Sequence, residues 1–150
     1  MLANRSKPPG TILPTLIYDD VPKAITYLCD VFGFSERLRA GSSHAQLVYG
    51  MGGVMLGQSR IGQGFSAPDS AQFRQPGAHE VSLSLSVQVE DVDRHYEHAV
   101  SRGARILQAP VTHMFGERQY TAEDFAGYRW TFSQSVEDVD PTDWGAAVNK

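Results

Sequence analysis

The chain has 150 residues, 41% of them hydrophobic, and 13 Lys and Arg against 17 Asp and Glu for a net charge of −4. That length suits one domain with a real core. The acidic balance excludes the basic footprint of sequence-independent nucleic-acid binding, and no apolar run approaches the ~20 residues that cross a bilayer.

Residues 1–10 (MLANRSKPPG) lack an apolar signal core and read as a flexible leader. Residues 11–18 read as a first strand, where Pro14 favours either a sheet edge or an irregular stretch of backbone because it cannot donate to a ladder. Asp20 is a natural cap for a helix over 22–32, with Pro22 in its first turn and Gly33 as its stop. Val21, Ile25, Leu28 and Phe32 form the apolar stripe. The single cysteine, Cys29, sits beside Leu28 and reads as an inert core thiol; with no internal disulfide possible, a reducing cytoplasm is the expected compartment. Strands are expected at 34–40, 44–49 and 54–56, joined by Gly41-Ser-Ser and Gly50-Met-Gly-Gly.

Residues 57–80 are rich in Gly, Ser, Gln and Pro and show no periodicity. They read as a linker, either a solvated crossover or a flap over a cavity. Residues 81–89 then alternate Leu and Val with Ser and Gln, the pattern of a strand with one greasy face. Asp91 caps a helix over 92–102, and Gly103 ends it. A short strand at 105–107, a loop at 110–115 and strands at 116–122 and 128–135 follow, the last two joined by Asp124-Phe-Ala-Gly127. The tail, 136–150, carries Trp144 as its expected anchor. Aligning Asp20 with Asp91 and Val21 with Val92 gives one offset, 91 − 20 = 92 − 21 = 71 residues, so the chain reads as two copies, 11–57 and 81–135, of one strand–helix–three-strand unit.

Tyr18-Asp-Asp-Val, Val31-Phe-Gly-Phe34, Gly116-Glu-Arg118 and Asp124-x-x-Gly-x-Arg-Trp130, in that order within a doubled unit, resemble the vicinal oxygen chelate superfamily. That is the family of glyoxalase I, bleomycin-resistance proteins and extradiol dioxygenases. Phe125 stands where the glyoxalase-like branch usually has proline. The resemblance implies an α+β fold of two βαβββ repeats, each a curled mixed sheet with its helix outside, a ligand in the concave trough, and a homodimer. The Leu and Val face of each strand should then pack on a helix and the Ser and Gln face look into the trough.

Metal-dependent relatives hold a divalent cation with four inward His, Gln or Glu side chains. Counting from Asp20, Asp91 and Asp124 puts those positions at Leu13, Met55, Ser84 and Thr131. None is a good ligand for a hard or borderline ion, so no metal or other cofactor is expected. His95 and His98 share a helix face that reads as solvated, and His79-Glu80 reads as a surface pair. The expected lining of the trough is Leu13, Thr15, Met55, Ser84, Ser86, Arg118, Tyr120, Thr131 and Ser133, with His113 at its mouth. Arg118, mid-strand with Tyr120 on the same face, either orients an anionic or polarised ligand group or pairs with Glu117, Glu123 or Asp124. Trp130 and Phe132 read as core under a helix, leaving Arg129, Thr131 and Ser133 toward the trough.

The expected function is metal-free binding of a small, partly apolar organic molecule, with sequestration as one form and no nucleic-acid or membrane partner. The alternative is a lyase, isomerase or dioxygenase that uses His113, Glu117 or Glu123 with a non-standard metal, or acid–base chemistry alone.

Overall fold

The computed structural model describes residues 2–61 and 72–149. The chain divides into two units, residues 1–75 and 76–150, and each repeats the other's plan.

In the first unit, Asp20 accepts from the Lys23 N–H and starts helix α1, Val21–Phe32; Gly33, at φ 81°, ends it. Strand β1, Thr15–Tyr18, precedes it, and β2, Ser35–Ala40, β3, His44–Tyr49, and β4, Gly52–Gln58, follow. These four form one sheet in the order β1-β4-β3-β2, with β1 parallel to β4 and the other pairs antiparallel. Strand β1 begins later than residue 11 because Pro14 has no N–H for the ladder, although its carbonyl accepts from the Met55 N–H at 2.9 Å. It lies at the sheet edge, a position proline favours. Leu16, Tyr18, Ala45, Leu47, Val54 and Leu56 share one sheet face and are buried together with Ala24, Ile25, Leu28 and Phe32 of α1. Thr15, Ile17, Gln46, Gly53, Met55 and Gly57 lie on the other face.

The expected linker carries structure. Strands β5, Arg60–Ile61, and β6, Gln72–Phe73, pair antiparallel, and the Arg60 guanidinium stands 4.9 Å over the Phe73 ring. Residues 62–71, on which the flap reading falls, lie outside the described residues.

In the second unit, β7, Ser84–Gln88, runs into α2, Val92–Ser101, which Asp91 caps through the Arg94 N–H. Then come β8, Arg105–Thr112, β9, Glu117–Glu123, and β10, Arg129–Ser135. Their order is β7-β10-β9-β8, again one parallel pair and two antiparallel pairs, so the doubled βαβββ architecture read from the 71-residue offset is the observed one. Strand β8 continues past residue 107 to Thr112, replacing the expected loop at 110–115. Its register shifts between Ile106 and Gln108 and again between Gln108 and Val111, which lets an edge strand absorb Pro110. A tight turn at 113–116 joins it to β9, with the His113 N–H donating to the Glu117 carbonyl at 2.8 Å. The tail closes in a 3-10 turn, Pro141–Trp144, and Trp144 meets Phe115 edge-on at 5.9 Å.

Candidate functional site

In the second unit the two faces of the sheet are set apart by one aromatic cluster. Trp130 and Phe132 of β10 and Tyr120 of β9 are fully buried. His95 of α2 lies 4.3 Å from the Phe132 ring, its Nδ1 2.6 Å from the Tyr120 hydroxyl, and Tyr96 meets Tyr120 edge-on. His95 is therefore half-buried under its own helix rather than on a solvated face.

Because side chains alternate along a strand, everything in phase with Tyr120 and Phe132 faces α2. Arg118 does so: its Nη2 and Nε reach Asp93 of α2 at 3.0 and 3.1 Å, and its Nη1 donates to the Thr112 hydroxyl at 3.2 Å. The Asp93 side chain, through hydrogen bonding first, holds the Arg118 pKa above its ordinary value. Arg118 and Tyr120 thus fall on the helix side instead of the expected trough wall. The ion pair is with Asp93, one residue into the helix's first turn, and not with Glu117, Glu123 or Asp124.

The face turned away from α2 carries the other parity. Ser84, Ser86 and Gln88 of β7 stand in register with Arg129, Thr131 and Ser133 of β10, which in turn face Glu123, Thr121 and Gln119 of β9. These groups are tied across the strands. Glu117 accepts from the Ser133 and Ser135 hydroxyls at 2.6 and 2.5 Å, and Gln119 donates to the Ser133 hydroxyl at 3.1 Å. The Thr121 and Thr131 hydroxyls are 3.3 Å apart. At the far end Glu123 pairs with Arg105 at 3.1 Å. Ser84, Ser86, Thr131 and Ser133, four of the expected lining residues, therefore share this one wall. His113 sits in the β8–β9 turn, its ring stacked on Phe115 at 4.9 Å.

Thr15 and Met55 are partners in register on the helix-averted face of the first sheet, while Leu13 precedes β1. The leader lies against this same face. Gln46, nearly fully buried, donates to the Ser6 carbonyl at 2.9 Å, and Arg37 bridges the Gln46 amide oxygen and the Arg5 carbonyl, both at 2.5 Å. Pro8 is buried, and a Cβ on Gly53 would meet the Pro9 carbonyl at 3.3 Å. Residues 5–9 thus make contacts with β2, β3 and β4. Neither Gln46 nor Arg37 was assigned a role from the sequence, since neither sits in a motif.

The donor set does not fit a divalent cation of the kind that metal-dependent relatives hold. Leu13 has no donor atom, Met55 has a soft thioether, and Ser84 and Thr131 have neutral hydroxyls. Among the described residues no three His, Cys, Asp or Glu side chains come together. Burial, ahead of the charge of Glu36, pushes the Cys29 thiol up, away from thiolate chemistry.

The family model described as Glyoxalase/Bleomycin resistance protein/Dioxygenase superfamily matches residues 11–132. TioX from Micromonospora sp. ML1 is 29% identical, with a TM-score of 0.69 over 84% of this chain and 98% of that one. A glyoxalase/bleomycin resistance protein/dioxygenase from Nocardioides shares the fold at 16% identity, with a TM-score of 0.70 over 95% of this chain and 91% of the other. Uncharacterized protein Mb0911c of Mycobacterium bovis is 26% identical over 144 residues, covering 91% of this chain and 90% of that one.

Proposed function

This chain belongs to the Glyoxalase/Bleomycin resistance protein/Dioxygenase superfamily, and on that premise we propose that it binds a small organic molecule without a family-type metal, on the face of the second sheet turned from α2. One observation carries the reading: between Glu123 and Glu117 the second sheet's helix-averted wall presents the hydroxyls and amides of Ser84, Ser86, Thr131, Thr121 and Gln119, beside Arg129. Such a wall grips by shape and a few hydrogen bonds.

The engagements of the acid–base candidates support binding over turnover. Both Glu117 oxygens accept from serines, Glu123 is held by Arg105, and the His113 ring is stacked on Phe115. Family membership also favours a homodimer, which light scattering on a sizing column tests as twice the chain mass. The binding test is a small-molecule screen read by backbone amide shifts. Hits should move Ser84, Ser86, Thr121 and Thr131, and Ser86→Ala with Thr131→Val should weaken them by about 2- to 10-fold per lost hydrogen bond. A screen whose hits leave those four residues unmoved rejects the reading.

A further inference from the structure

Arg129 opens β10 on the helix-averted wall, in register with Ser84 on one side and Glu123 on the other. Its Nε–H is buried and has no hydrogen-bond partner among the described residues. Arginine cannot relieve such a position by losing its proton, because the guanidinium stays charged at any ordinary pH. A buried donor without an acceptor is costly, and more so when it belongs to a charged group.

The carboxylates of the same wall are committed elsewhere. Glu123, directly across, gives Oε2 to Arg105 at 3.1 Å. Glu117 lies six residues along β9 from Glu123, about 20 Å at the strand rise and beyond the ~8 Å over which exposed charges act. It is also occupied by Ser133 and Ser135. Between these ends the wall is neutral, so Arg129 has Glu123, already engaged by Arg105 through Oε2, on one side and hydroxyls on the other. As a whole the residue is only part-buried, which leaves the side chain within reach of a molecule laid on the sheet.

We infer that Arg129 anchors the carboxylate of an organic monoanion, with Ser84, Ser86 and Thr131 hydrogen-bonding the body of the same molecule. This deepens the binding reading above and rests on it. The planar guanidinium matches the two oxygens of a carboxylate. One guanidinium beside a carboxylate that Arg105 already engages suits one further negative charge. A phosphate dianion would bring a second charge to a wall whose other arginine, Arg105, is already paired with Glu123.

The test is a fragment screen of matched sets, each a carboxylic acid, its carboxamide and the corresponding phosphate on one scaffold. Saturation-transfer NMR reads binding to the full chain, and the Arg129 Nε–Hε resonance reports the contact. The acids should bind at least ten times more tightly than their amides and move that resonance. Arg129→Gln, checked for an unchanged melting temperature, should erase the preference while keeping the amides' affinity. Arg129→Lys should retain part of it, which separates lost charge from lost packing. If acids and amides bind alike, if the preference survives Arg129→Gln, or if phosphates outbind acids, the carboxylate anchor is overturned while the binding reading stands. If no member of any set binds this wall, both fall together.

Discussion

Asp124 holds more of the second unit together than any residue of the open wall. Nearly fully buried, it accepts from the Ala126 and Tyr128 N–H groups, both at 3.0 Å, and from the Trp130 indole at 3.1 Å. Asp124→Ala strands all three donors at once. The expected loss is about 3 kcal/mol or more, measured by chemical denaturation, well above a typical single substitution. Arg118→Ala should do much less. Its pair with Asp93 is substantially exposed, at 32% and 54%, and such pairs contribute at most about 1 kcal/mol. A double-mutant cycle with Asp93→Ala should return a coupling in that range, and Arg118→Ala should leave the affinity of any open-wall ligand unchanged. The motif around Arg118 was legible. The target of its charge was not, because only the folded chain brings Asp93 beside it from 25 residues away.

At the scale of elements, parity decides which residues form the wall. The alternation in β7 and β10 is unambiguous, since Trp130 and Phe132 can only be core, and it assigned Ser84, Ser86, Thr131 and Ser133 to the open side. Strand β9 mixes Glu, Arg, Gln, Tyr, Thr and Ala, so its own sequence does not say which phase is buried. The antiparallel register Phe132 to Tyr120 settles it and turns Arg118 toward α2 with Tyr120. That pairing of two aromatics is the signal that would have sorted the strand. The terminal segments show the same dependence on contacts. Removing residues 2–9 should strip acceptors from the Gln46 amide and Arg37, costing about 1–3 kcal/mol and raising hydrogen exchange along β3. The tail rests on Gly116, whose φ is 86° and whose added Cβ would stand 2.2 Å from the Glu137 carbonyl oxygen. Gly116→Ala should therefore release the tail and red-shift Trp144 fluorescence as the ring leaves Phe115 for water, with the sheet's amide pattern kept. Acid acts on the same segment. The Thr142 backbone N–H, and after it the hydroxyl, hold the Asp140 carboxyl below the usual carboxylate range. The stabilisation this gives the final turn is complete above the ordinary aspartate value of ~3.9 and is lost as pH falls through the lowered one. Trp144 fluorescence should hold steady at pH 5 and change only in stronger acid.

On the scale of the whole chain, both repeats contribute to the metal question. The positions that the family resemblance implies for metal ligands are Leu13 and Met55 in one copy and Ser84 and Thr131 in the other, and none has a donor suited to a hard or borderline divalent ion. Equimolar Zn²⁺, Ni²⁺ or Mn²⁺ should leave the melting temperature unchanged, whereas a site filled at 100 times its Kd would add about 2.7 kcal/mol. No described helix is long and apolar enough to cross a membrane.

The sequence by itself determined the doubled architecture, both helix starts at Asp20 and Asp91, the edge position of the proline-led strand and the family, because caps, breakers and two-residue alternation act within a few residues of chain. Tertiary structure alone decided where Arg118 spends its charge, how Gln46 and Arg37 meet residues 5–6, how far β8 runs, and that the Arg129 Nε–H has no acceptor among the described residues. Each of those depends on which strand lies beside which, and a charge or a buried amide finds its partner only after distant segments have been brought into contact.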